Sequence, residues 1–121
     1  MSKPVIKEPT DEQIKEFWEW CGFWYNEKEM GSTWVGGKWH HRTHYYDWRE
    51  LPPIDLNNLF KYAVPFLLAS DRYSIRIYTH KANNEVTIIA HYHGDVSYQK
   101  GNPDLALALF WAIYEVFRLE G

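Results

Sequence analysis

Apolar and polar residues follow two kinds of pattern along the chain, the first of which is helical. Near the start, apolar positions recur every three or four residues, at Ile14, Phe17, Trp18 and Cys21. This spacing places side chains on one face of an α-helix. Thr10 and Gln13 have the spacing of a capping box, and Gly22 is a suitable C-terminal stop. The pattern predicts a helix over residues 11–21, preceded by a flexible arm over residues 1–9.

The next segment has the pattern of a β-hairpin. In STWVGGKWHH (Ser32–His41), the pair Gly36-Gly37 separates two extended runs, as is typical of a two-residue turn. This register would pair Trp34 with Trp39. The residues that follow, RTHYYDW, continue as strand or ordered loop until a Pro-Pro pair ends them, since proline donates no ladder hydrogen bond.

A second helix is predicted after the proline pair. Asp55 is suited to cap its first turn. One apolar stripe runs along it, comprising Leu56, Leu59, Phe60, Ala63, Val64 and Leu67. Pro65 lies inside this stripe and should kink the helix or end its regular part, because proline lacks an amide donor.

Two further strands, Tyr73–His80 and Glu85–His93, are predicted to pair through a turn at Asn83-Asn84. Because side chains alternate sides with period two, each strand has an aliphatic face and a polar face. The aliphatic face comprises Ile75, Ile77, Val86, Ile88 and Ala90 and must be core. In this register, the opposed pairs on the polar face are Arg76 with His91, Ser74 with His93 and Tyr78 with Ile89.

The last predicted helix is apolar on nearly all sides. It begins near Asn102 and Pro103, and nine consecutive apolar residues run from Leu105 to Ile113. Such a helix needs cover all round, either by central burial or by a second subunit, and a small domain favours a homo-oligomer through this helix. The element order α-ββ-α-ββ-α predicts one α+β domain over residues 10–121, with a mostly antiparallel sheet of two hairpins.

Composition narrows the function classes. The chain has 121 residues, a formal charge of −3, seven Trp, nine Tyr and one Cys. A negative net charge argues against double-stranded nucleic acid as a partner. The sequence has no signal-peptide core and no apolar run of the roughly 18 residues needed to cross a membrane. With a single cysteine and no disulfide, the cytoplasm is the expected compartment.

Three helical stretches resemble a known family. They are DEQIKEFWEWCGF (Asp11–Phe23), LPPIDLNNLFKYAVPFLL (Leu51–Leu68) and NPDLALALFWAIYEVF (Asn102–Phe117). Together they are similar to small phage proteins of the phage ABA-sandwich family, whose members mostly lack a known function. The resemblance implies a phage protein with helices covering a sheet. Thoeris anti-defence proteins, which sequester cyclic nucleotide-like immune signals, are similar in length, aromatic content and oligomeric habit.

Two stretches are candidates for binding an anion. The first is the polar hairpin face, where Arg76, Tyr78, His91 and His93 offer cationic donors and a stacking ring. The second is KWHHRTHYY, where Trp39, His41 and Arg42 mix cations with aromatics. A metal site at His91-x-His93 is the weaker alternative, because only one cysteine is present and a solvated histidine is simpler. No metal or cofactor is therefore expected.

Catalysis is the other alternative. Asp95 lies close enough in sequence to orient a histidine, with Ser97 or Tyr98 nearby, but such triads are recognised only by geometry. The sequence contains no nucleophile elbow and no paired-carboxylate signature. These features predict a non-enzymatic oligomer that binds a small anionic, nucleotide-derived ligand. The resemblance implies that the protein is phage-encoded and that the ligand is an immune signal, which it would sequester to counter host defence. The second hypothesis is a protein that inhibits a bacterial immune enzyme, and the third is a small hydrolase.

Overall fold

The part of the chain that the structure describes is α+β, with three helices and two three-stranded antiparallel sheets. The computed structural model describes residues 8–27, 37–79, 83–91 and 95–120. The predicted α+β class is confirmed. The two-hairpin description is not exact, because each described sheet has three strands. In the first sheet, Lys38–His41 lies between Phe23–Asn26 and Asp47–Trp48, and the predicted strand before Gly36 lies outside the described residues. In the second sheet, Val96–Asn102 adds a third strand to the predicted pair.

Helix α1 spans Asp11–Trp20 and begins at the predicted capping box. The amide of Gln13 donates to the Thr10 hydroxyl at 3.2 Å, and the Thr10 amide donates to the Gln13 side chain at 2.9 Å. After the helix, Gly22 adopts a φ of 107°, a left-handed conformation that favours glycine. Both predicted ends of this helix are therefore confirmed. Its inner face buries Phe17 and Trp18 completely.

The first sheet consists of β1 (Phe23–Asn26), β2 (Lys38–His41) and β3 (Asp47–Trp48), in that spatial order. Trp39 is opposite Tyr25 on one side and opposite Trp48 on the other. The predicted partner Trp34 lies outside the described residues, and the two described partners of Trp39 belong to β1 and β3. Phe23 explains the choice of partner, because it brings β1 into the core against Trp18 at a ring distance of 5.3 Å.

Helix α2 covers residues 56–68 in three joined pieces. Asp55 caps it as predicted, accepting from the Asn58 amide at 2.8 Å. After the first turn, Leu59–Ala63 widens into a π-helix, in which the Val64 amide bonds to the carbonyl of Leu59 five residues earlier. Pro65 follows at once and has no amide for a normal helical bond. The predicted irregularity is thus confirmed as a widened turn just before the proline.

The second sheet consists of β4 (Tyr73–Thr79), β5 (Asn84–Ala90) and β6 (Val96–Asn102), in that order. The opposed pairs of its first two strands include Arg76 with Thr87, Tyr78 with Glu85 and Ser74 with Ile89. The predicted pairing of Arg76 with His91 is therefore wrong by four residues. Asn84, which was predicted to lie in the turn, is a strand residue opposite Thr79, so the centre of the connection lies two residues earlier in the chain. A shift by an even number keeps every side chain on its predicted face.

Helix α3 (Leu105–Glu120) is the centre of the core. It packs against β5, β6, α1 and the π-helical turn, and it completely buries Ala108, Leu109, Phe110, Ala112, Ile113 and Val116. The chain itself thus covers many of the apolar positions that suggested a subunit contact, as expected for central burial, whereas Leu119 is exposed. An oligomer through this helix stays a prediction. No helix in the described part of the chain is long and apolar enough to span a membrane.

Candidate functional site

The predicted anion-binding residues of the second sheet are not all brought close together. Arg76, Tyr78 and His91 do share the outer face, and all three are exposed. However, Arg76 is opposite Thr87, four residues before His91. At about 3.3 Å per residue, this offset separates Arg76 from His91 by roughly 13 Å along the strands. His93 lies outside the described residues. One small anion therefore does not contact both Arg76 and His91.

His91 instead bonds to two side chains on its own side of the sheet. Its Nε2 lies 2.8 Å from the Ser74 hydroxyl, and its Nδ1 lies 3.1 Å from Oδ1 of Asp95. Its amide also donates to the carbonyl of Arg72 at 2.6 Å. Asp95 was considered from the sequence, but Ser74 was missed as the third member. The only sign of Ser74 in the sequence was the alternation of side chains, which places Ser74 and His91 on the same polar face.

His41, a predicted ligand residue, has a structural role. Its Nδ1 accepts from the amides of Thr43 at 3.2 Å and His44 at 3.1 Å. The proton of the neutral ring is therefore on Nε2, which donates to the carbonyl of Cys21 at 3.0 Å. Burial lowers the pKa of His41, and the charges of His44 and Arg42 lower it further, against the opposing effect of the Cys21 bond. The ring fixes its own loop and has no nitrogen left for a ligand.

Trp39 and Arg42, the other two predicted ligand residues of this stretch, lie in different surroundings. Trp39 is 9% exposed and packs against Tyr25 at a ring distance of 5.2 Å, so its faces are not open to a base. Arg42 is exposed, and its amide donates to the carbonyl of Gly22 at 3.2 Å. The three residues therefore do not form one pocket: Trp39 packs on Tyr25, His41 packs on Phe23 and Tyr62, and Arg42 follows the end of β2.

Much of the aromatic excess is used inside the chain. The Tyr62 ring is the centre of a cluster of edge-on and tilted contacts with Trp18, Phe23, His41, His44 and Tyr46. Burial raises the pKa of Tyr46 to about 12, and nearby Tyr62 and Glu50 add to the effect. These rings join both neighbouring helices to the first sheet. Several aromatic residues that the sequence alone suggested for ligand binding therefore have a structural role.

An open groove of about 690 Å³ lies beside α1 and the first sheet. We call it the aromatic groove; its lining residues are Lys15, Glu19, Trp24, Tyr25, Glu27, Trp39 and Arg49. Trp24 is 46% exposed and stacks on His40 at 4.7 Å with an interplanar angle of 28°. Tyr25 is 44% exposed, and its hydroxyl accepts from the Gly37 amide at 2.9 Å. Both rings are thus held in place while part of each stays accessible.

Another cavity, of about 420 Å³, differs in charge. It lies between the loop around Tyr45 and the prolines before α2, and its charged lining residues are the carboxylates of Asp47 and Glu50. Such a lining repels an anion. In the described ranges, no three His, Cys, Asp or Glu side chains are grouped so as to hold a metal ion. For a negatively charged ligand, the aromatic groove is the better candidate.

Comparison with known proteins leaves the function to be argued from these residues. No known protein family, curated protein or solved structure matches the chain. The resemblance to the phage ABA-sandwich family therefore stays a prediction. The sequence missed the aromatic groove because its residues come from α1, β1, β2 and the segment after β3, and only their packing brings them together.

Proposed function

We propose that the chain binds a small, singly charged nucleotide-like ligand in the aromatic groove and releases it unchanged. The single observation that supports this most is the groove itself, in which half-exposed rings stand beside two cations. The site thereby moves from the outer face of the second sheet, where the register separates Arg76 from His91, to the first sheet. Of the residues expected to bind, Trp39 alone lines the new location.

The size of the groove and its rings suit a nucleobase. A volume of about 690 Å³ falls within the roughly 300–1,000 Å³ typical of small-molecule sites. A base gains about 1–3 kcal/mol by stacking on an aromatic side chain. Trp24 is the stronger platform because His40 already supports its other face. Tyr25 is held by Gly37, so ordering it on binding costs little side-chain entropy.

The charges define the ligand class more narrowly. Lys15 and Arg49 supply positive charge for a phosphate, and arginine can form paired bonds with it. Glu19 and Glu27 line the same groove and accept hydrogen bonds from amino groups of a base. Two carboxylates also repel a polyphosphate. A cyclic nucleotide, with one negative charge and donors on its base, therefore fits better than a nucleoside triphosphate.

Isothermal titration with 3′,5′-cyclic AMP, 3′,5′-cyclic GMP, cyclic ADP-ribose isomers and ATP tests this proposal. We expect binding of a cyclic ligand, weaker binding of ATP, and recovery of unaltered ligand after the complex is heated. Trp24→Ala should weaken binding about 5- to 100-fold, the loss of one stacking contact. Trp48→Ala is the matched control, because Trp48 is exposed but lies outside the groove.

Two results would reject the aromatic groove. One is no heat of binding for any cyclic ligand. The other is binding that survives Trp24→Ala but disappears in Arg76→Ala, which would return the site to the second sheet. That the ligand is an immune signal, and that the chain is phage-encoded and counters host defence, are expectations from the resemblance and remain part of the proposal.

A protein-binding inhibitor is the second candidate. It is favoured by Trp48, 62% exposed, and Tyr45, 92% exposed, because Trp and Tyr often anchor protein interfaces. Pull-down from a host lysate separates the candidates. If the exposed rings are the functional surface, Trp48→Ala should abolish capture of a specific protein partner and leave cyclic-nucleotide binding intact. If the groove is the functional site, Trp24→Ala should weaken cyclic-nucleotide binding and leave protein capture intact.

A further inference from the structure

Ser74, His91 and Asp95 form a hydrogen-bonded chain with the order of a hydrolytic triad. The Ser74 hydroxyl lies 2.8 Å from Nε2 of His91, and Nδ1 of His91 lies 3.1 Å from Asp95. We propose that this is a second, independent site, at which Ser74 is the nucleophile that cleaves small, accessible carboxylic esters. His91 acts as the base, and Asp95 is a positioning residue. The site is separate from the aromatic groove on the first sheet.

The directions of the hydrogen bonds suit this chemistry. An ionised carboxylate only accepts, so in the neutral ring Nδ1 carries the proton and donates it to Asp95. Nε2 is then an acceptor, and the Ser74 hydroxyl must donate to it. The serine proton is thereby directed to the group that has to remove it. The same polarity defines a nucleophile, a base and an orienting acid in serine hydrolases on unrelated folds.

The position of the three residues leaves the nucleophile accessible. Ser74 lies on the outer face of β4, and helix α3 packs on the opposite face of the sheet. The side chains of His91 and Asp95 are 41% and 71% exposed. The bond from the His91 amide to the Arg72 carbonyl holds the backbone of the base beside the start of β4. Ser74 itself is half-buried, so part of its side chain is accessible to an ester in solution.

The reaction proceeds in two balanced steps. Ser74 Oγ forms a bond to the ester carbonyl carbon while its proton moves to His91 Nε2, and the alcohol leaves with that proton as its C–O bond breaks. Water then attacks the acyl-serine, gives its proton to His91, and releases the acid as the proton returns to Ser74. Arg76 lies two residues from Ser74 on the same face of the strand, about 7 Å away along the backbone, and contributes positive charge to this side of the sheet.

The experiment measures hydrolysis of p-nitrophenyl acetate by the full chain, together with labelling by a fluorophosphonate. We expect Ser74→Ala and His91→Ala to lower the rate about 10²-fold or more, the usual contribution of a positioned base. The label should be on Ser74. Ser97→Ala is the matched control, because Ser97 also lies opposite Ile89 on the same outer face. It should retain the wild-type rate and labelling.

The positioning role of Asp95 needs a separate readout. Asp95→Asn should lower kcat and leave KM unchanged, because it changes the ring's tautomer and not the access of substrate. The catalytic proposal is overturned if Ser74→Ala hydrolyses as fast as wild type with native circular dichroism, or if the label is on another residue. Trp24→Ala should leave hydrolysis unchanged, so failure here and failure of the aromatic groove are distinguishable.

Discussion

Replacing Trp18 by Phe tests whether one buried hydrogen bond holds helix α1 to the segment that precedes α2. The Trp18 ring is fully buried, and its indole N–H donates to the Pro52 carbonyl at 2.8 Å. Phenylalanine keeps an aromatic ring but has no donor. The carbonyl of Pro52 is then buried without a partner, which is more costly than the loss of an exposed bond.

The expected destabilisation has two parts. The lost bond and the orphaned carbonyl cost about 1–3 kcal/mol. The smaller ring also gives up part of the packing against Phe23 and Tyr62, worth roughly 1–2 kcal/mol. The sum of about 2–5 kcal/mol is a large share of the roughly 5–15 kcal/mol that stabilises a typical domain. The urea midpoint should therefore fall by about 1–2 M.

Urea unfolding followed by far-ultraviolet circular dichroism measures this change, because the other six of the seven tryptophans would complicate a fluorescence signal. Trp24→Phe is the control: Trp24 is half-exposed, so the same chemical change should cost no more than about 0.5 kcal/mol. If both variants unfold at the same urea concentration, the Trp18–Pro52 bond does not stabilise the fold as argued. At urea concentrations below its unfolding midpoint, the folded Trp18→Phe variant should still bind the cyclic nucleotide, because Trp18 does not line the aromatic groove.

Three further outcomes are expected. Gly37→Ala should destabilise the chain by about 1–3 kcal/mol and weaken ligand binding, because a methyl group there would overlap the Tyr25 ring and the Asn26 carbonyl; thermal unfolding and titration measure the two effects. The second outcome concerns the dependence of stability on pH. Because folding lowers the pKa of His41, the His41 ring of the unfolded chain binds a proton more readily than that of the folded chain. Its contribution to stability should be complete above about pH 6.5 and be lost as the pH falls through the folded-state value. His41→Asn should flatten this dependence of the urea midpoint between pH 7 and 5, and an unchanged slope would contradict the role of His41. Asp55→Ala should cost about 1 kcal/mol by removing the cap of α2, and Asp55→Asn much less, as measured by urea unfolding.

Features that depend on neighbours in sequence could be predicted. The capping box at Thr10, the stop at Gly22 and the Asp55 cap all involve residues within four positions of one another. Alternation along β4 and β5 also predicted the correct faces, because side chains alternate whatever the partner strand is. The disturbance at Pro65 was equally local, since it follows from the missing amide of the proline itself.

The register, the neighbours of each strand and the candidate sites were decided by tertiary packing. Arg76 and His91 have the same parity, but parity does not fix pairing, and in the folded sheet Arg76 is opposite Thr87. The hydrogen bonds of His41 likewise depend on Cys21, twenty residues away. The sequence by itself determined helix ends and strand faces, which arise from short-range geometry. Only the folded chain brought Ser74 to His91 and Lys15 to Trp24, because contacts between distant residues arise from burying the whole core at once.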